Sequence, residues 1–115
     1  MPFLALEISI ELIEMLREPL VRVRVHDADL ATQMRRAATS VPLNLAEGRR
    51  RVGRDRLHLW RVAAGSAAEV HTALRVAVAF GYVERERVGE ALALLDRLLG
   101  MLWSMPRDGA ARARA

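Results

Sequence analysis

The sequence predicts an all-α protein, an antiparallel up-down four-helix bundle folded as one domain. Three observations carry this. Apolar residues recur at three- and four-residue spacing in four stretches, separated by short links rich in Asp, Gly, Arg or Pro. The apolar fraction is 52% and the aromatic fraction only 4%, so the core must be Leu, Val, Ala and Met. The 115 residues suffice for a single hydrophobic core.

The first helix is expected over about residues 3–18. Leu6, Ile10, Ile13 and Leu20 mark one apolar line, and Ile8, Leu12 and Met15 a second. Glu7, Glu11, Glu14 and Glu18 fall along one face. Pro19 is expected to end the regular pattern, because proline has no N–H to donate inside a helix. Residues 20–26, LVRVRVH, then alternate apolar and basic like a short strand. With no second strand to pair with, they read as an extended connection or a frayed helical end.

The second helix is expected over about residues 28–47, with Asp27 or Asp29 as N-cap. Leu30, Met34, Ala37, Ala38, Val41 and Leu45 form its stripe. Pro42 lies within that stripe and predicts a kink, with Thr39 and Ser40 available to bond freed carbonyls. Gly48 suits the position just past a helix end. The third helix, about 55–80, carries Leu59, Val62, Ala63, Ser66, Val70, Ala73, Leu74, Ala77 and Val78 on its stripe. Gly65 within it costs roughly 1 kcal/mol against alanine, so close approach of another helix is expected there. Gly81 and Tyr82 stop it. The fourth helix, about 84–105, has two apolar lines: Val88, Leu92, Leu95, Leu99 and Leu102, then Leu94, Leu98, Met101 and Met105. Pro106 stops it, and residues 106–115 read as a disordered tail. Helices one and four are apolar over more than a bundle-facing stripe requires, which predicts burial between subunits.

Charge is distributed unevenly. The net charge is +4, and all 18 basic residues are arginine. Residues 30–61 hold eight of them, Arg35, Arg36, Arg49, Arg50, Arg51, Arg54, Arg56 and Arg61, against Glu47 and Asp55. That segment therefore carries +6 and the remainder −2. Arginine presents a planar fork of donors suited to phosphate and carboxylate. Six of the eight belong to the junction of helices two and three or border it.

Several function classes are disfavoured. There is no cysteine, which removes disulfides and thiolate metal sites. His26, His58 and His71 lack the Glu-x-x-His spacing of a di-iron bundle, since Glu69 and His71 are two apart and point to different faces. GRRRVG lies between helices rather than after a strand, so it is no phosphate loop. No nucleophile–base arrangement can be assembled, so neither enzymatic activity nor a cofactor is expected. The first residues lack the basic region of a signal peptide, and no uncharged apolar run reaches the ~18 residues of a spanning helix. A cytoplasmic protein without membrane contact is expected.

Gln33–Gly48, QMRRAATSVPLNLAEG, resembles the signature of the four-helix-bundle family of 23S rRNA intervening-sequence proteins. AAGSAAEVHTALRVAVAFGYV, further on, is similar to that family's second motif. Order and spacing match over about residues 33–104, whereas VRVRVHDAD departs from the usual first connection. The resemblance implies a non-enzymatic homo-oligomer, a pentameric ring. One branch of the family is the accessory variability determinant of diversity-generating retroelements, which binds a reverse transcriptase and nucleic acid. A reverse transcriptase is thus an implied partner.

Two readings of the arginines follow. In the first, all eight bind the phosphate backbone of RNA or DNA without sequence readout, in a salt-sensitive way, since only Trp60 among aromatic residues is near them. In the second, the protein is an interaction scaffold. Its arginines pair with the Glu7/Glu11/Glu14/Glu18 face of a neighbouring subunit or with an acidic partner. Asn44, Glu47, Ser66 and Glu69 match the family motif and are expected to form a structural polar network between helices two and three, with Arg35 or Arg36 as counter-charge. Trp60 and Trp103 are expected to be packing or interface residues.

Overall fold

The computed structural model describes the backbone of residues 3–114 and the side chains of residues 3–104. Four helices follow in order: α1 (Leu4–His26), α2 (Ala28–Arg49), α3 (Gly53–Ala79) and α4 (Arg85–Arg114). Among the described residues there is no strand. Each helix packs on two others: α1 on α2 and α4, and α3 on α2 and α4. Short links make consecutive helices antiparallel, and the bundle measures 49 × 22 × 22 Å.

Asp27 alone joins the first two helices. Its N–H donates to the Val23 carbonyl at 2.8 Å, and its carboxylate accepts from Leu30 N at 2.9 Å. It therefore closes α1 and caps α2, which decides between the two candidate caps. At the far side of α3, Gly81 adopts φ +78°. Gly81 N donates to Val78 O and Tyr82 N to Ala77 O, both at 2.9 Å. This crossed pair satisfies carbonyls that the helix end leaves open and turns the chain into α4.

The first helix does not stop at Pro19. It runs on to His26, and Pro19 is buried inside it. An interior proline forfeits one backbone bond, but continuing the helix carries Val23 fully into the core and leaves Val21 and Val25 outside. The alternation of residues 20–26 was thus a misleading strand signal, because only one of its valines has a packing role. α2 likewise remains one helix through Pro42, which is buried. Thr39 Oγ1 donates to the Arg35 carbonyl at 2.8 Å.

Glycine roles differ from the sequence expectation at two positions. Gly65 is exposed, with nothing within 4 Å of where a Cβ would stand. Its neighbours Ala63, Ala64 and Ala67 face the core, and Gly65 is rotated away from them. The close approach occurs at Gly48 instead. There α2 continues to Arg49 rather than ending, and a Cβ would lie 2.7 Å from Trp60 Cδ1 and Nε1.

The core is aliphatic. Leu12, Leu16, Met34, Leu45, Leu74, Leu95, Leu98 and Leu102 are fully buried, with Val23, Val41, Val70 and Val88 between them. Leu6, Ile13 and Leu20 of α1 and Leu92, Leu94, Leu99 and Met101 of α4 are half-buried against it. The backbone of α4 runs through Pro106 to Arg114, so the stop expected at Pro106 does not occur there, and the side chains of the tail expected over residues 106–115 lie outside those described.

Candidate nucleic-acid interface

The register of α2 against α3 is set by two contacts. Ser66 Oγ donates to Ser40 Oγ at 2.8 Å, and Gly48 sits beneath Leu59 and Trp60. Arg61 therefore stands level with the last turn of α2, near the junction. Arg35 and Arg36 lie farther up α2, about 20 Å from Arg50 at 1.5 Å per residue.

The eight arginines do not form one class. Arg56 Nε donates to Gly48 O at 3.1 Å and its Nη2 to Arg49 O at 3.2 Å, so it closes the C-terminal carbonyls of α2. Its guanidinium also lies 5.4 Å from the centroid of the Trp60 ring. Arg49 lies 5.4 Å over the Phe3 ring, and Phe3 packs on Trp60 with centroids 5.8 Å apart. Arg51 pairs with Glu47 one turn earlier at 2.9 Å. These three arginines hold the junction together. Arg35, Arg36, Arg50, Arg54 and Arg61 are exposed and form no ion pair among the described residues. Arg35 and Arg36 border a shallow groove with Thr39, Ser40, Leu43 and Asn44.

Phe3 was missed as a part of this site. Its position at the chain start hid that antiparallel packing returns it to the α2–α3 junction. Both rings there are covered by guanidinium groups and the core, so neither is an open stacking surface.

The expected four-residue polar network is smaller. Asn44 Nδ2 donates to Ser40 O at 2.8 Å and to Ser40 Oγ at 2.9 Å, and Ser66 joins through the same hydroxyl. Ser40 is thus the hub, which the motif alone did not reveal. Glu47 belongs to the exposed pair with Arg51, and Glu69 is exposed with no ion pair among the described residues. Neither carboxylate is buried, so neither needs the counter-charge expected from Arg35 or Arg36.

Among the described ion pairs, none joins the acidic face of α1 to a junction arginine. Glu18 bonds Arg22 at 3.1 Å and Arg87 at 2.7 Å, both far from the junction. Hydrogen bonds from Arg22, then from Arg87, hold the Glu18 carboxyl below its ordinary value. Glu7, Glu11 and Glu14 are exposed without an ion pair among the described residues. No cluster of three or more acidic or histidine residues is arranged to hold a metal ion among the described residues. No helix among them is long and apolar enough to cross a membrane.

Comparison with known proteins gives two findings. The family model described as 23S rRNA-intervening sequence protein matches residues 5–104. A solved structure of a protein of unknown function from the S23 ribosomal protein family of Bacteroides thetaiotaomicron is similar in fold, with TM-score 0.75 at 20% identity. The likeness covers 89% of this chain and 97% of that one. The comparison with curated proteins found no match.

Proposed function

The chain belongs to the 23S rRNA-intervening sequence protein family, and from that premise we propose that it is a non-catalytic bundle that binds the phosphate backbone of RNA or DNA. The observation that carries the reading is the set of five exposed arginines, Arg35, Arg36, Arg50, Arg54 and Arg61, with no ion pair among the described residues. Phosphates 6–7 Å apart along a strand need donors spread over a surface, not gathered in one pocket. The absence of an open aromatic ring beside these arginines favours backbone contact over base readout. A homo-oligomeric ring, with five copies favoured, would repeat the patch and multiply its avidity. The retroelement branch of the family makes a reverse transcriptase the protein partner to test.

Filter binding across salt tests this. If all five arginines meet phosphates, the logarithmic salt slope on duplex DNA is about −4.5 per protomer, from −0.9 per contact. Arg50→Ala, Arg54→Ala and Arg61→Ala should each flatten it by about one. Absent binding at low salt, or a slope unmoved by the triple variant, refutes the reading.

The second reading is a scaffold in which these arginines meet the acidic face of another subunit. Its support is the exposure of Glu7, Glu11 and Glu14 without ion pairs among the described residues. Arg50→Glu with Arg54→Glu should then lower the assembled mass in light scattering. A mass unchanged while nucleic-acid binding disappears favours the first reading.

A further inference from the structure

The end of the bundle opposite the arginine junction carries a different surface. There the α1–α2 link and the α3–α4 turn meet. His26, at the end of α1, stacks on Tyr82 with ring centroids 5.2 Å apart and planes 4° apart. Tyr82 in turn stacks on Phe80, at 5.3 Å and 15°. The three rings make a short ladder, and its last member, Phe80, is 67% exposed. A phenylalanine ring left in water at the end of a stack forgoes favourable burial, and the stack gives it a fixed orientation.

Beside this turn lies an open groove of about 580 Å³ between α3 and α4. That size falls in the range of small-ligand sites. Its walls include Val76, Ala79 and Leu92, and it is lined from both helices by arginine, Arg75 on α3 and Arg85 on α4. Neither arginine forms an ion pair among the described residues, and no acidic residue lines the groove. Of the acids on α4 or just before it, Glu84 leans toward Arg87 at 4.0 Å, Asp96, one turn beyond Leu92, pairs with His71 at 3.0 Å, and Glu86, next to Arg85, is exposed without an ion pair among the described residues. Phe80 follows Ala79 of the groove wall in sequence and stands at its edge, not among the residues that line it.

We infer that this turn end is a nucleotide site, with Arg75 and Arg85 taking the phosphate and the exposed face of Phe80 taking the base. Two guanidinium groups on opposite walls bind a phosphate through charge-assisted, paired hydrogen bonds. A base laid on Phe80 extends the His26–Tyr82–Phe80 ladder by one ring, and such stacking tolerates any base. The site lies at the other end of a 49 Å molecule from the junction arginines and does not depend on them. Its ligand is either a free nucleotide or the terminal nucleotide of a single strand, which present the same chemistry.

Calorimetric titration of the full chain with adenosine 5′-monophosphate, adenosine and inorganic phosphate tests this. The monophosphate should bind at least tenfold tighter than either part alone. Arg75→Ala with Arg85→Ala should reduce it to the level of adenosine, and Phe80→Ala to the level of phosphate. All three side chains are exposed, so unchanged circular dichroism should accompany each loss. A 5′-phosphorylated oligonucleotide that displaces the monophosphate, when its 5′-hydroxyl counterpart does not, assigns the site to strand ends. Displacement by neither assigns it to free nucleotide. Arg50→Ala with Arg54→Ala and Arg61→Ala should leave monophosphate binding intact, so the two sites fail separately. The inference is overturned if the monophosphate binds no tighter than phosphate, or if the variants bind it as the parent does.

Discussion

Replacing Gly48 by alanine sets helix propensity against packing at one atom. Alanine in a helix interior is favoured over glycine by about 1 kcal/mol. At Gly48, however, the new methyl would stand 2.7 Å from both Cδ1 and Nε1 of Trp60 and 3.4 Å from Leu59 Cβ. The indole cannot simply swing aside, because Phe3 packs on it and Arg56 lies across it. Trp60 Nε1 is also buried without a hydrogen-bond partner, so nothing polar guides it to a second position. Overpacking of this kind costs about 1–3 kcal/mol. The net expectation for Gly48→Ala is a loss of up to about 2 kcal/mol once the propensity gain is subtracted. Gly65→Ala supplies the control. It is a helical glycine with nothing within 4 Å, so it should gain about 0.5–1 kcal/mol. Thermal melts of the two variants at one protein concentration should then separate by several degrees, at ~4–8 °C per kcal/mol for a domain near this size. A Gly48→Ala protein as stable as Gly65→Ala would refute the argument that Trp60 selects glycine there. A Gly65→Ala protein that loses stability would show that another chain covers that face.

Three further outcomes are expected. Asp27→Ala removes the cap of α2 and should cost about 1 kcal/mol, read as a lower urea midpoint at unchanged slope. Ser40→Ala leaves the Ser66 hydroxyl and the Asn44 amide without their shared acceptor. A loss of about 1–3 kcal/mol is expected, and near-neutral behaviour would mean that water replaces the hub. Because the Glu18 carboxyl is held below its ordinary 4.5 in the folded chain, its bonds to Arg22 and Arg87 stabilise the fold above that value. They are lost as pH falls through the lowered one. Glu18→Gln should therefore lower the neutral melt slightly, by the small amount an exposed pair contributes, and leave the melt unchanged at acid pH where the parent has already lost those bonds, so the stability–pH curve flattens between.

Much of the fold was legible because amphipathic periodicity is local. The stripes of α2, α3 and α4 each named their buried residues, from Met34 and Leu45 to Leu74, Leu95 and Leu102. The errors fell where a local rule met a packing contact distant in sequence. Pro19 reads as a stop, yet Val23 beyond it is a core residue, and burying it sustains the helix. Gly65 reads as a close approach because glycine is costly in a helix. The contact that demands glycine is at Gly48, where the partner is eleven or more residues away across a turn. The arginine cluster was visible as a +6 segment. Its division into junction-holding and exposed members was not, since Arg49 and Arg56 are placed by Phe3 and by carbonyls that only the folded turn presents.

The sequence by itself determined the helical class, the four-element order, the aliphatic core and the concentration of positive charge around the α2–α3 link. Each depends on residue type and spacing along the chain. The tertiary structure decided which arginines remain exposed, that Ser40 is the hub between Asn44 and Ser66, and that an aromatic ladder and a two-arginine groove share the opposite end. Those depend on how antiparallel packing returns distant residues to one another, as it brings Phe3 to Trp60 and His26 to Tyr82. Periodicity along one helix carries no information about such returns.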